Sequence, residues 1–103
     1  MEAIKIIEEV SDRIKDAAAL LEGLGIELIS VEKRWNTGTE VHIYNGIDFL
    51  ANEMGQELIE TSNPLVNGTV YKEKAFTYGG VKFFQVPNSN GEYRRKKDGL
   101  PDF

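Results

Sequence analysis

Residues 3–24 read AIKIIEEVSDRIKDAAALLEGL, and their apolar members recur at the spacing of a helix. At about 100° per residue these members fall on one side, while charged side chains fall on the other. We call this side the apolar stripe; it consists of Ala3, Ile4, Ile6, Ile7, Val10, Ile14, Ala17, Ala18, Leu20, Leu21 and Leu24. A stripe this wide predicts a long helix lying on a sheet. The glycines at 23 and 25 are typical of a helix end.

After Gly25 the apolar period changes to two, which predicts a strand from Ile26 to Trp35. Apolar residues at 26 and 28 fall on one face and those at 29 and 31 on the other, which favours coverage on both sides. The segment Asn36-Thr37-Gly38 has the composition of a short turn. A second strand over residues 41–44 then completes a hairpin.

A second helix is expected after this hairpin, with Asn45 as its N-cap and Asp48 in an approximate capping-box role. We expect it to end near Gly55. Residues 56–61 leave two alternatives open, a continuation of the helix or a short edge strand. A second hairpin is predicted from residues 69–78 and 81–86, which flank Gly79-Gly80.

The resulting order is α-β-β-α-β-β, which favours an α+β fold over a parallel α/β fold. We expect an antiparallel sheet of about four strands, covered on one face by the long N-terminal helix. The order of the strands within the sheet is left open by the sequence. Residues 1–87 are expected to form one domain, and residues 88–103 a mobile polar and basic tail.

Composition excludes several classes of site. The chain of 103 residues has no cysteine, which rules out disulfides, thiolate zinc ligands and a cysteine nucleophile. No apolar run approaches the ~20 residues of a membrane span, and the first residues lack the pattern of a signal peptide. We therefore expect a cytoplasmic protein without a membrane partner.

Charge is unevenly distributed along the chain. Residues 1–60 hold thirteen acidic and five basic residues, a net −8, whereas residues 61–103 hold four acidic and seven basic residues, a net +3. Glu8, Glu9, Asp12 and Asp16 lie opposite the apolar stripe, where solubility is their simplest role. Alternatively, they imitate nucleic-acid phosphates, which would make the protein an acidic inhibitor of a nucleic-acid-binding protein.

Two further polar features invite a functional interpretation. His42 is the one histidine, and a general base would need a nucleophile or an orienting acid beside it. Glu40 falls on the same side of the strand, but such neighbours are routine on a sheet face, so we interpret His42 as a structural side chain, at the surface or half-buried. Arg94, Arg95, Lys96 and Lys97 follow Tyr93, a pattern that fits either a solvated tail or a nucleic-acid contact. We expect no catalytic, cofactor-binding or metal site.

Aromatic residues are numerous for so small a core. The candidates for partner binding are Trp35, Tyr44, Phe49, Phe76, Phe83 and Phe84. Because Phe83 and Phe84 are adjacent in a strand, they point to opposite faces of the sheet. Either both faces are covered or an apolar patch is exposed, and such a patch typically binds a protein partner or a second copy.

Two segments carry a resemblance to a known group of proteins. Residues 41–51 (VHIYNGIDFLA) and 78–85 (YGGVKFFQ) resemble parts of short uncharacterised proteins carried by prophages and other mobile elements of Gram-positive bacteria. The resemblance extends over about half the chain. It implies a small accessory protein with no catalytic residues to transfer. Our leading hypothesis is a non-enzymatic interaction protein that binds through an aromatic sheet surface or the N-terminal helix.

Overall fold

The computed structural model describes residues 2–34 and 38–97, without the side chain of Arg34. Its elements are α1 (Glu2–Gly23), β1 (Leu28–Arg34), β2 (Gly38–Ile43), α2 (Ile47–Glu53), β3 (Ile59–Pro64), β4 (Val70–Tyr78) and β5 (Val81–Gln85). The predicted α+β class and the N-terminal helix are confirmed. Trp35 and most of the predicted first turn lie outside the described residues, as do residues 98–103.

The described strands form one mixed sheet in the order β1-β2-β5-β4-β3. Neighbouring strands are antiparallel except β2 and β5, which run parallel from the pair Thr39 and Val81 to the pair His42 and Phe84. The prediction of an antiparallel sheet of about four strands is therefore confirmed in part, with two differences. The two hairpins join through strands of the same direction, and β3 adds a fifth strand at the edge. Residues 59–61, left open above, belong to this mostly exposed strand.

A β-bulge in β1 changes which residues share a face. Leu28 is opposite Ile43 and Val31 is opposite Val41, with a register shift in between. Because Ile43 and Val41 lie on one face, Leu28 and Val31 lie there too. The prediction that β1 is covered on both sides is wrong, since it assumed an uninterrupted alternation.

The core lies between α2 and one face of the sheet, where α2 packs against β4 and β5. Its buried residues are Ile26, Val41, Ile43, Ile47, Leu50, Ala51 and Phe76. Fully burying an aliphatic or aromatic side chain contributes about 1.5–3 kcal/mol to stability. These few residues therefore dominate the stability of the part of the chain from Ile26 to Lys97, which we call the body.

The entry into α2 differs from the prediction. Gly46 occupies the N-cap position with φ 84°, so no N-cap side chain bonds to the helix. The predicted capping roles of Asn45 and Asp48 are therefore wrong. The left-handed conformation of Gly46 turns the chain so that the Asn45 side chain points away from the start of α2.

α1 projects from the body instead of covering the sheet. None of its residues is buried, and β1 is the described element that it contacts most. Leu21, in its last turn, packs against the core, and Gly25 (φ 83°) then turns the chain into the body. The radius of gyration is 15.7 Å, against about 13 Å for a compact chain of this length. The prediction that α1 lies on the sheet is wrong because α2 already occupies the core face.

Candidate functional site

The apolar stripe of α1 is a long exposed apolar feature of the described residues. Seven of its members are between 47% and 74% exposed: Ile4, Ile6, Ile7, Val10, Ile14, Leu20 and Leu24. At about 100 Å² of exposed surface each, they present on the order of 700 Å², above the roughly 300–600 Å² of the largest patch on a typical monomer. Exposed apolar patches above this size are typical of surfaces that bind a partner.

The opposite side of α1 is charged. The helix carries six acidic and three basic residues, a net charge of −3. Arg13 donates a hydrogen bond of 2.6 Å to the Glu9 carboxylate one turn earlier, and both side chains are exposed. Such a pair contributes only ~0.3–0.5 kcal/mol. The acidic residues thus lie where solvent reaches them, as the sequence predicts.

The sheet face that points away from α2 carries a second cluster, which we call the charged sheet face: Glu40, His42, Glu73, Lys82 and Phe84. The register places Glu40 beside Lys82 and His42 beside Phe84. The His42 ring stacks on Phe84 with ring centroids 4.5 Å apart and an interplanar angle of 13°. Lys82 Nζ lies 5.3 Å from the centre of the same ring.

Glu73 is, with Glu40, one of the two buried carboxylates of this cluster. Lys82 Nζ lies 2.6 Å from one carboxylate oxygen, and the Tyr71 hydroxyl donates a 2.9 Å hydrogen bond to the other. A buried charge needs such partners, because without them its desolvation costs several kcal/mol. Both oxygens are engaged within the protein, which is the arrangement of a structural carboxylate.

His42 is half-buried, in agreement with the structural role inferred from the sequence. Burial lowers its pKa below the ordinary value of 6.5, while the carboxylates of Glu32 and Glu73 partly offset this effect. The imidazole is therefore neutral at pH 7. A neutral ring stacks on Phe84 without the cost of burying a charge.

The predicted aromatic residues are not gathered on one exposed surface. Phe76 and Phe83 stack on each other at 5.2 Å on the core side, whereas Phe84 is buried on the charged sheet face. The Arg94 guanidinium lies 4.3 Å above the Tyr44 ring, and Lys96 Nζ lies 4.9 Å above the Phe49 ring. Trp35, the sixth candidate, lies outside the described residues. Of the five candidates that the structure describes, Phe76, Phe83 and Phe84 pack within the protein. Tyr44 and Phe49 lie beneath basic side chains.

The predicted tail does not separate from the body at residue 88. We call residues 92–97 the C-terminal segment. The Arg94 carbonyl accepts hydrogen bonds from Gly46 N (2.8 Å) and Gln85 Nε2 (3.0 Å), and Lys97 N donates to Gly25 O (2.8 Å). The prediction that the chain is a mobile tail from residue 88 onward is therefore wrong as far as Lys97. Backbone hydrogen bonds, which side-chain composition does not reveal, anchor the segment.

Two buried side-chain amides connect the C-terminal segment to the body. Asn45 Oδ1 accepts from Glu27 N (2.8 Å), and its Nδ2 donates to Gly25 O (2.9 Å) and Arg95 O (3.2 Å). Gln85 Oε1 accepts from Ile47 N at 2.9 Å. Their residues are 2% and 0% exposed. Sequence reasoning missed Asn45 and Gln85 in this role, because their partners lie far away along the chain.

The residues predicted to contact nucleic acid are largely engaged within the molecule. Arg94 and Lys96 cover Tyr44 and Phe49, as described above. Lys74 Nζ lies 4.6 Å above the ring of Tyr93, the residue expected to stack on a base. Burial and the neighbouring Glu60 carboxylate raise the pKa of Tyr93 to about 12. The run from Arg94 to Lys97 therefore lies on the surface of the body. Lys74 covers the ring of Tyr93, the residue best suited to stack on a base.

Over residues 2–34 and 38–97, no group of three acidic, histidine or cysteine side chains could hold a metal ion. No helix in that part of the chain is both long and apolar enough to cross a bilayer.

Comparison with known proteins finds no matching family model, no similar curated protein and no similar solved structure. The geometry of the molecule is therefore the basis for any functional argument.

Proposed function

We propose that this chain is a non-enzymatic interaction protein that binds a protein partner through the apolar stripe of α1. The observation that carries the proposal is the exposure of six stripe members on a helix with no buried residue, and of Leu24 just after it. In proteins, most of the stability of a helix comes from packing of its apolar face. A partner that covers the stripe supplies the apolar burial that the body does not.

The attachment of α1 to the body supports this role. Leu21 packs against the core, and the chain just beyond it is fixed by hydrogen bonds from Asn45 and Lys97 to the Gly25 carbonyl. The base of the helix is therefore held, while the stripe from Ala3 to Leu20 extends into solvent. Such a helix can enter a groove or pair with another helix.

Charge argues against a membrane surface as the partner. Helices that lie on membranes carry lysine and arginine on their polar side, which attract anionic lipids. The polar side of α1 has a net charge of −3 instead. A protein surface is the better match for an apolar stripe with acidic flanks.

Several more specific hypotheses remain predictions. These are the mobile-element context, inhibition of a nucleic-acid-binding protein by the acidic side of α1, and direct nucleic-acid contact through Tyr93 to Lys97. The acidic inhibitor predicts binding that weakens steeply with salt. Binding through the apolar stripe predicts a weak dependence on salt, so a salt titration separates the two.

A photo-crosslinking experiment tests the proposal in cells of the source organism. The full chain carries p-benzoylphenylalanine at position 14 in the stripe, or at position 19 on the opposite side of α1 as a matched control. We expect covalent adducts from position 14 and few from position 19. Equal yields from the two positions, or no adducts from either, would reject the stripe as a binding surface.

A further inference from the structure

We infer that the partner of the apolar stripe is a second copy of this chain, with the two α1 helices packed antiparallel. The inference rests on the proposed function, because it names the occupant of the same surface.

The centre of the stripe has the spacing of a helix-pairing seam. Its residues are separated alternately by four and three positions: Ala3, Ile7, Val10, Ile14, Ala17, Leu21 and Leu24. This alternation gives a mean period of ~3.5 residues, which keeps one seam facing a partner helix over the whole length. Ile4 and Ala18 flank the seam on one side, and Ile6 and Leu20 on the other.

An antiparallel arrangement matches large residues with small ones. Ile14 of one copy faces Val10 of the other at the centre, where the two-fold axis repeats the pair. Moving outward, Ile7 faces Ala17, and Leu21 faces Ala3. Facing layers that alternate large and small side chains interdigitate without voids.

A parallel arrangement lacks this match. It sets each seam residue against its own copy, so Ala17 faces Ala17 while Ile7 faces Ile7. Layers of two alanines leave gaps, and each gap of about a methyl group costs roughly 1 kcal/mol.

The flanking residues favour the same orientation. In the antiparallel pair Ile6 lies beside Leu20 and Ile4 beside Ala18, so apolar flanks meet apolar flanks. In a parallel pair Ile6 would lie beside Ser11, and Ala18 beside Arg13. Only the antiparallel arrangement covers all of the exposed flanks.

Charge along α1 also distinguishes the two orientations. Residues 2–12 hold four acidic and one basic residue, whereas residues 13–23 hold two of each. An antiparallel pair sets the acidic half of each helix beside the neutral half of the other. A parallel pair sets acidic halves side by side, which costs energy through like-charge repulsion.

The area and the position of the bodies are compatible with a stable dimer. Two stripes of on the order of 700 Å² each would bury close to the ~1,600 Å² of a standard interface. In the proposed register the partner's helix begins opposite Leu21, where the chain enters the body. The two bodies therefore lie at opposite ends of a paired rod of about 33 Å, the length of a 22-residue helix.

The mass of the purified full chain in solution tests the inference. Sedimentation equilibrium should give two copies, and Ile14→Asp should weaken dimerisation by about 100-fold or more, because each dimer would bury two unpaired charges at its centre. The matched control Ala19→Asp adds the same charge on the opposite side and should leave the mass unchanged. A mass of one or four copies overturns the inference, as does a dimer that Ile14→Asp leaves intact.

Cysteine crosslinking tests the orientation in a chain that has no cysteine of its own. A mixture of Ile7→Cys and Ala17→Cys chains should form mixed disulfides, because these positions face each other only in the antiparallel pair. Ile7→Cys alone should form few, since its two copies would lie far outside the ~4.4–6.8 Å Cα separation that a disulfide requires. Efficient linkage of Ile7→Cys to itself would show a parallel pair and overturn the inference.

The photo-crosslinking experiment distinguishes failure of the inference from failure of the proposed function. Position-14 adducts with twice the chain mass support a second copy. A monomer in solution whose position-14 adducts contain a different protein overturns the inference and leaves the proposed function standing. A monomer with no such adducts overturns both.

Discussion

Ile14 and Ile43 are the same residue type in two regular elements, yet their surroundings differ completely. Ile43 in β2 is 0% exposed in the core, whereas Ile14 in α1 is 48% exposed on the apolar stripe. The apolar residues recur with equally clear spacing in both elements, at the period of a strand around Ile43 and at the period of a helix around Ile14. The difference shows that periodicity identifies an apolar face, while the occupant of that face depends on the rest of the molecule.

The polar groups of the two regions differ in the same way. In the body, Asn45 and Gln85 are buried, and their side chains make three and two hydrogen bonds. In α1 the charged groups lie in solvent, with Glu9 and Arg13 as an exposed pair. The body thus buries Asn45 and Gln85 together with their hydrogen-bond partners, whereas α1 keeps both its charged groups and its apolar stripe in solvent.

The largest expected effect is the difference in stability loss between truncating Ile43 and truncating Ile14. Ile43→Ala should lower the free energy of unfolding by about 3–4 kcal/mol, because it removes buried methyl groups and leaves a cavity. Ile14→Ala should change it by less than ~0.5 kcal/mol where the protein is monomeric, since its side chain is largely solvated already. Urea unfolding at a concentration where light scattering gives the monomer mass measures both. Equal losses would contradict the contrast between the regions.

The positions of α1, α2 and the two hairpins could be predicted from the sequence within a few residues, because helical and strand periodicities are local. The position of α1 relative to the sheet could not, since the stripe fits an external partner as well as a sheet. The parallel pairing of β2 with β5 joins residues far apart in sequence. Asn45 illustrates the same limit, because its acceptor on Arg95 is 50 positions away.

The second prediction tests the polar anchor of the body. Asn45→Ala should cost about 3 kcal/mol, since the amide of Glu27 and the carbonyl of Arg95 lose their hydrogen bonds in a buried setting. Asn52→Ala, at an exposed position of α2, should cost less than ~0.5 kcal/mol. Chemical denaturation compares the two variants. A similar cost for both would show that the C-terminal segment is held by other means.

The third prediction uses two glycines with similar backbones and different surroundings. Gly46 (φ 84°) and Gly55 (φ 63°) are both left-handed, so alanine at either costs ~1 kcal/mol or more. At Gly46 an added methyl group would also crowd Ile26 and Lys96, whereas at Gly55 it meets open space. We expect Gly46→Ala to cost about 2 kcal/mol more than Gly55→Ala in thermal or urea unfolding. Equal costs would mean that Ile26 and Lys96 move aside and make room for the added methyl group at no cost.

The smallest expected effect is the pH dependence contributed by His42. Its pKa is lowered in the folded protein by burial, so the unfolded chain binds the proton more readily. Its contribution to stability is therefore complete above about pH 6.5 and is lost as the pH falls through the lowered pKa. Unfolding free energies measured from pH 7.5 to 5.5 should decline, and the decline should be shallower in His42→Gln. An unchanged slope in the variant would assign the pH dependence to other groups.

The anchoring of the C-terminal segment has a consequence for the order of events during synthesis. The body completes its hydrogen bonds at Asn45, Gln85 and Gly25 only when residues 94–97 have been made, whereas α1 is complete at Gly23. At ~5–20 residues per second, the intervening stretch takes on the order of 4–15 s to translate. A newly made α1 is therefore exposed for seconds before its own body can close. Chains growing on the same message have that interval in which to pair their helices.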